Sequence, residues 1–200
     1  LSLKNLQESF NDALYYREEI QKAFKHGDIT LRQHAAADCL FWHILTRIRE
    51  LLPGLKIVPK DLLGLDALLA DVYYCNFSVF QSLPDAWAID QLFPIMPIHR
   101  LTEKPTRMAC LSDITCDCDG RIDKFIDQHD VKSVLPVHAL RKGEPYMLAA
   151  FLVGAYQETL GDLHNLFGDT NVVSVQVDED GEIEYVQELQ GDSVGDVLSY

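Results

Sequence analysis

The sequence predicts an α+β protein: a helical bundle over residues 1–70, then an antiparallel β-sandwich or barrel over residues 71–200 that ends in the start of a terminal helix. Three observations carry this reading. Apolar residues recur at helical spacing through the first seventy positions. From Asp71 onward, runs of β-branched and aromatic residues bounded by turn formers replace that pattern. Asp178-Glu-Asp-Gly181 separates two such runs as a hairpin turn, with Gly181 free to take positive φ.

Leu3, Leu6, Phe10, Leu14, Ile20 and Phe24 mark the first helix, with Ser2 as its expected N-cap and Gly27 as its stop. Thr30 is suited to cap a second helix reaching about Leu52. Its apolar face is Leu40, Phe41, Ile44, Leu45, Ile48 and Leu52, and Pro53-Gly54 ends it. A short third helix is expected from Pro59 through Leu62 to Ala70. Strands are expected at 72–80, 107–115, 147–153, 172–177 and 183–186, with a helical turn at 157–166 and a truncated helix at 194–200.

With 17 Lys and Arg against 31 Asp and Glu, the chain has a formal charge of −14. That balance argues against nucleic acid or an anionic membrane as a partner, since like charges would be brought together. Cationic ligands fit better. Cysteines at 39, 75, 110, 116 and 118 are odd in number and irregularly spaced, so a disulfide framework is not expected and a reducing compartment is. No apolar run approaches the roughly 20 residues that span a bilayer, and the N-terminal stretch lacks a signal-peptide pattern. A cytoplasmic location is the expectation. The amphipathic pattern is already running by Leu3, as in a fragment of something longer.

Chemistry concentrates in Ile114-Thr-Cys-Asp-Cys-Asp-Gly120, in Val153-Gly-Ala-Tyr-Gln-Glu158 and in His164-Asn-Leu-Phe-Gly-Asp169. A calcium loop aligned on Asp117, Asp119 and Gly120 puts Thr115 and Ile126 where Asp and a bidentate Glu are needed. Zinc is no better served, because Cys116 and Cys118 lack a second pair at workable spacing. The bland alternative is a polar turn after a strand. Negative charge beside a thiol disfavours the thiolate, so Cys116 suits a proton donor better than a nucleophile. Asp117 suits a substrate cation, by two parallel hydrogen bonds if that cation is a guanidinium. Tyr156, after the small pair Gly154-Ala155, is placed to offer its hydroxyl to a phosphate, although a buried tyrosine with a satisfied hydroxyl is the commoner case. Trp87 reads as a core or interface anchor, and Asp85 as a cap for the segment that follows.

Tyr74-Cys-Asn-Phe-Ser-Val-Phe-Gln-Ser-Leu-Pro-Asp-Ala-Trp87 with Ile89-Asp-Gln-Leu-Phe-Pro94, Asp113 to Gly120, and Val153 to Asp169 together resemble the C-terminal part of the biosynthetic arginine decarboxylases. These belong to the pyridoxal-phosphate-dependent group that also contains ornithine and diaminopimelate decarboxylases and shares the alanine-racemase-type fold. The helical half resembles the insertion these enzymes carry between barrel and β domain. The resemblance implies conversion of L-arginine to agmatine and CO2 in polyamine (putrescine and spermidine) synthesis, with pyridoxal 5'-phosphate supplying the electron sink. It also implies roles: Cys116 delivers the proton, Asp117 holds the distal guanidinium, and Tyr156 binds the cofactor phosphate. The first two would act in a neighbouring subunit's active site, so a homo-oligomer of at least two chains is implied.

Magnesium is implied by the resemblance alone, and the sequence offers no ligand for it. Where the ornithine branch has an aspartate after the asparagine of the Tyr-Tyr-x-Asn strand, this chain has Phe77 and then Ser78. The family's cofactor-binding lysine sits in an N-terminal (β/α)8 barrel that these residues do not include, so this stretch alone is expected to be inactive. A non-catalytic regulatory or binding subunit related to decarboxylases is the alternative reading. A stand-alone metal-binding β protein is a third.

Overall fold

The structure is a computed structural model and describes residues 2–128, 130–161 and 165–200. It resolves into two compact units, Leu1–Ala70 and Asp71–Tyr200.

In the first unit, α1 spans Leu6–His26 and α2 spans Leu31–Leu51. Gly27, in the left-handed region at φ 84°, closes α1 by returning its N–H to Ala23 and Phe24, a conformation only glycine adopts at no cost. Thr30 caps α2 as expected. Its hydroxyl accepts from the Gln33 N–H while the Gln33 side chain accepts from the Thr30 N–H, so two amides with no helical partner are satisfied reciprocally. The expected cap of α1 is corrected: Asn5, not Ser2, occupies the N-cap position. Asn5 Oδ1 accepts from both the N–H and the hydroxyl of Ser2, at 2.8 and 2.9 Å, and this folds the preceding residues back in place of a helical turn.

The expected third helix breaks into a 3-10 turn at Lys60–Leu62 and a single turn, α3, at Leu65–Leu68. Gly64 between them disfavours continuous helix. Leu6, Phe10, Ala13, Phe41, Leu45, Ile48, Leu62 and Leu65 form one buried cluster. The apolar face of α2 is narrower than the sequence implies, because Leu40 is exposed and only Phe41, Leu45 and Ile48 are buried.

The second unit is built on β3, Arg107–Ser112, which is preceded by β1 (Asp71–Tyr74), two short helices α4 (Val79–Ser82) and α5 (Pro84–Ala88), and β2 (Ile95–Pro97). It is followed by β4 (Arg121–Ile122), β5 (Phe125–Ile126), β6 (Val131–Lys132), β7 (Leu135–Val137) and β8 (Leu148–Ala150). Then come α6 (Ala155–Leu160), β9 (Val172–Val177), β10 (Ile183–Leu189) and α7 (Val194–Val197).

Pairing is antiparallel except between β1 and β3, which run parallel with Asp71 opposite Ala109. Among the described residues the strands divide into one four-stranded and three two-stranded sheets, and no closed barrel forms. The run expected to be one strand over 72–80 stops at Tyr74. Ser78 caps α4 through its hydroxyl, and the chain turns helical. A bidentate pair from Arg107 to Asp71, at 2.6 and 2.7 Å, fastens β1 to β3.

Burial along β3 alternates, with Ala109 and Leu111 facing a core of Val79, Leu83, Phe93, Ile122, Phe125, Leu135 and Val137. His138 is buried beside that core. Its Nε2 faces the Glu103 carbonyl, which can only accept, so Nε2 carries the hydrogen and Nδ1 accepts from the Tyr146 hydroxyl at 2.8 Å. The β9–β10 hairpin leaves Val173, Val175, Val177, Ile183 and Tyr185 exposed.

Leu45 has no exposed surface and sits in the middle of the helical core. Leu45→Ala is expected to cost about 2–5 kcal/mol, read as a lower urea midpoint for loss of helical circular dichroism.

Candidate functional site

Two exposed segments carry the residues of interest. The first is the turn from Asp113 to Gly120 between β3 and β4. The alternation that turns Ala109 and Leu111 inward continues to Asp113, which is 3% exposed. A carboxylate carried inside by strand geometry must find donors there, or its desolvation goes uncompensated.

Asp113 finds them on both oxygens. Oδ2 accepts from the Val79 N–H at 2.9 Å, the first amide of α4. Oδ1 accepts from the N–H and the hydroxyl of Thr115 at 3.0 and 2.8 Å. The Asp113 N–H donates to the Gly120 carbonyl at 2.7 Å and closes the turn. A Cβ on Gly120 would overlap the Asp113 carboxylate, so glycine is required by close approach and not by backbone conformation.

Cys116, Asp117 and Cys118 stand exposed at the tip, and all three thiols and carboxylates lie outside the core. Asp117 is partly committed within the turn, since its Oδ1 accepts from the Asp119 N–H at 3.0 Å. Its other oxygen has no hydrogen bond among the described residues and is open to a cation.

The second segment is α6, opened by Gly154. Tyr156 is 77% exposed, so the buried, satisfied hydroxyl that tyrosines commonly show does not occur here. The neighbouring Gln157 is buried instead and anchors the helix. Its Nε2 donates to Asp85 Oδ2 at 2.6 Å and its Oε1 accepts from the Asp85 N–H at 3.0 Å. Asp85 thus ties α5 to α6 in addition to standing in the first turn of its own helix. Gly161 at the end of α6 lies so close to the Gln81 carbonyl that a side chain there would collide with it.

No hydrogen bond joins Cys116 or Asp117 to Tyr156. Among the described residues they are connected through the frame, in which Asp113 holds α4 and α4–α5 hold α6. Sequence reading did not single out Asp113, Gln81 or Gln157 as individual residues. The usable signal was the period-two spacing of 109, 111 and 113. Trp87, expected as a core or interface anchor, is half-exposed and packs edge-on against Phe80 at 5.2 Å. His164 lies outside the described residues.

For a phosphate-bearing cofactor, the Tyr156 hydroxyl is a suitable single donor in open space. No lysine of this chain lies in a cofactor-binding motif. For metal, no three His, Cys, Asp or Glu side chains converge among the described residues. None of the described helices is long and apolar enough to cross a membrane.

A two-unit architecture of helical bundle and small β sheets, carrying an acid–thiol turn and an exposed phenol, is similar to known proteins along its whole length. The arginine decarboxylase helical bundle domain matches residues 1–66. The biosynthetic arginine decarboxylase of Bacteroides thetaiotaomicron is 54% identical across 100% of this chain, which covers 32% of that relative. That of Thermosynechococcus vestitus is 52% identical across 98% of the chain and 31% of the relative. The crystal structure of the biosynthetic arginine decarboxylase from Campylobacter jejuni superposes with a TM-score of 0.69 at 34% identity, over 100% of this chain and 31% of that one. The likeness to these relatives runs along the whole chain, which spans about a third of the length of the curated relatives it matches.

Two outcomes follow from the geometry. Gly120→Ala is expected to cost about 1–3 kcal/mol, measured by thermal unfolding. Burial pushes the Cys75 thiol up to about 11, whereas Cys116 and Cys118 are exposed. Iodoacetamide at pH 8 is therefore expected to label Cys116 and Cys118 well before Cys75, as read by peptide mass spectrometry.

Proposed function

We propose that the chain is the C-terminal portion of a pyridoxal-phosphate-dependent arginine decarboxylase that converts L-arginine to agmatine and CO2 for polyamine synthesis in the cytoplasm. The observation that supports this most is the 54% identity to a biosynthetic arginine decarboxylase along the whole chain. The cofactor, when bound, supplies the electron sink for decarboxylation.

The parts contributed by this chain follow from its exposed groups. The Tyr156 hydroxyl donates a hydrogen bond to a cofactor phosphate oxygen. The free carboxylate oxygen of Asp117 accepts from the distal guanidinium of arginine, a charge-assisted contact that orients the long side chain. Cys116 holds a proton on Sγ and delivers it to Cα after carbon dioxide has left. Cys116 and Asp117 stand on an exposed tip, and among the described residues neither Cys116 Sγ nor Asp117 Oδ2 has a hydrogen-bond partner. This favours action across a subunit boundary, in an assembly of at least two chains. The cofactor-binding lysine and the remainder of the phosphate site belong to a barrel outside these residues.

The test is the chain as its own gene encodes it, supplied with pyridoxal phosphate and arginine. Cys116→Ala is expected to slow turnover or raise the share of misprotonated by-product; unchanged rate and product remove Cys116 from the role. Asp117→Ala is expected to lower kcat/KM for arginine by about 10- to 100-fold, the worth of one hydrogen bond to a charged group. Its effect on pyridoxal phosphate affinity should be far smaller, which equilibrium titration of the cofactor would measure.

A further inference from the structure

We propose that Asp113 is the positioning residue of this site: its buried carboxylate fixes where Cys116 and Asp117 stand. The inference rests on the reading of those two residues given above. It is carried by a relay of hydrogen bonds.

The Thr115 hydroxyl donates to Asp113 Oδ1 at 2.8 Å and accepts from the Asp117 N–H at 3.4 Å. The Thr115 N–H is held by the same Oδ1 at 3.0 Å. Cys116 therefore lies between two residues whose amides are both fixed, directly or through one hydroxyl, by one buried carboxylate. The turn closes behind it through Asp113 N–H to Gly120 O, and Gly120 has no room for a side chain against that carboxylate. On its far side Asp113 Oδ2 holds the first amide of α4 at 2.9 Å, and α4 is packed on the end of the helix that carries Tyr156. One side chain thus references the proton donor and the cation-binding carboxylate to the element that supports the phosphate contact. A turn 1 Å out of place misaligns a proton transfer without unfolding anything.

Asparagine matches aspartate in size but has one acceptor oxygen, so in Asp113→Asn either Thr115 or the Val79 amide faces an NH2 group. The experiment is a double-mutant cycle in the full gene-encoded chain loaded with pyridoxal phosphate, using Asp113→Asn, Cys116→Ala and the pair. Asp113→Asn is expected to lower kcat by about tenfold or more and to raise the misprotonated share. Pyridoxal phosphate affinity should stay within about twofold, and the double variant should be no slower than the slower single one.

Wild-type kcat and product partition in Asp113→Asn would overturn the inference. So would losses that multiply in the double variant, or a parallel fall in cofactor affinity, which would mean a general structural role. Should Asp113→Asn fail to fold, Thr115→Val removes only the relay hydroxyl and must give the same direction of change; wild-type behaviour there also overturns the inference. A silent Cys116→Ala defeats the reading of the site itself and takes the inference with it, whereas a slow Cys116→Ala beside a silent Asp113→Asn defeats the inference alone.

Discussion

A carboxylate inside a strand-end core is the constraint around which the second unit is organised. The period-two alternation of β3 places Ala109 and Leu111 in the core and carries Asp113 in after them. Desolvating such a charge costs several kcal/mol unless hydrogen bonds replace the lost water. Three donors from two segments do so, namely the Val79 amide and the amide and hydroxyl of Thr115. The requirement explains why the strand expected over 72–80 stops early, why α4 begins where it does, and why position 120 has no side chain.

The same logic governs α6. Gln157 is buried and spends both ends of its amide on Asp85, one hydrogen bond in each direction. With the helix held by that residue, Tyr156 on the adjacent face is left to solvent. Anchoring and exposure are divided between neighbours in both segments: Asp113 and Gln157 are interior and hydrogen-bonded, while Cys116, Asp117 and Tyr156 are exterior. A polar group that has all its partners cannot bind a ligand, so this division is what makes the exposed groups available.

The helical unit depends on a different balance. Its core is small, and its helices are bounded by devices worth about 1 kcal/mol each, the reciprocal Thr30–Gln33 box and the left-handed Gly27. Its long helices were legible because their periodicity and end signals agree. The region after Pro59 was less so, because Gly64 interrupts a pattern that apolar spacing alone would continue. The Ser2 cap was misassigned for a related reason: Asn5, three residues on, offers a carbonyl oxygen that captures Ser2 before it can cap anything.

By itself the sequence determined the division into helical and β halves, the hairpin at Asp178–Gly181 and the resemblance carried by the strings around Cys116, Asp117 and Tyr156, because each is written in local spacing or in long contiguous strings. Tertiary structure alone decided the parallel pairing of β1 with β3, the breakup of the strands into small sheets, and the roles of Asp113 and Gln157. Those depend on partners 34 and 72 residues away, and periodicity reports which face a residue occupies but not which distant group waits there.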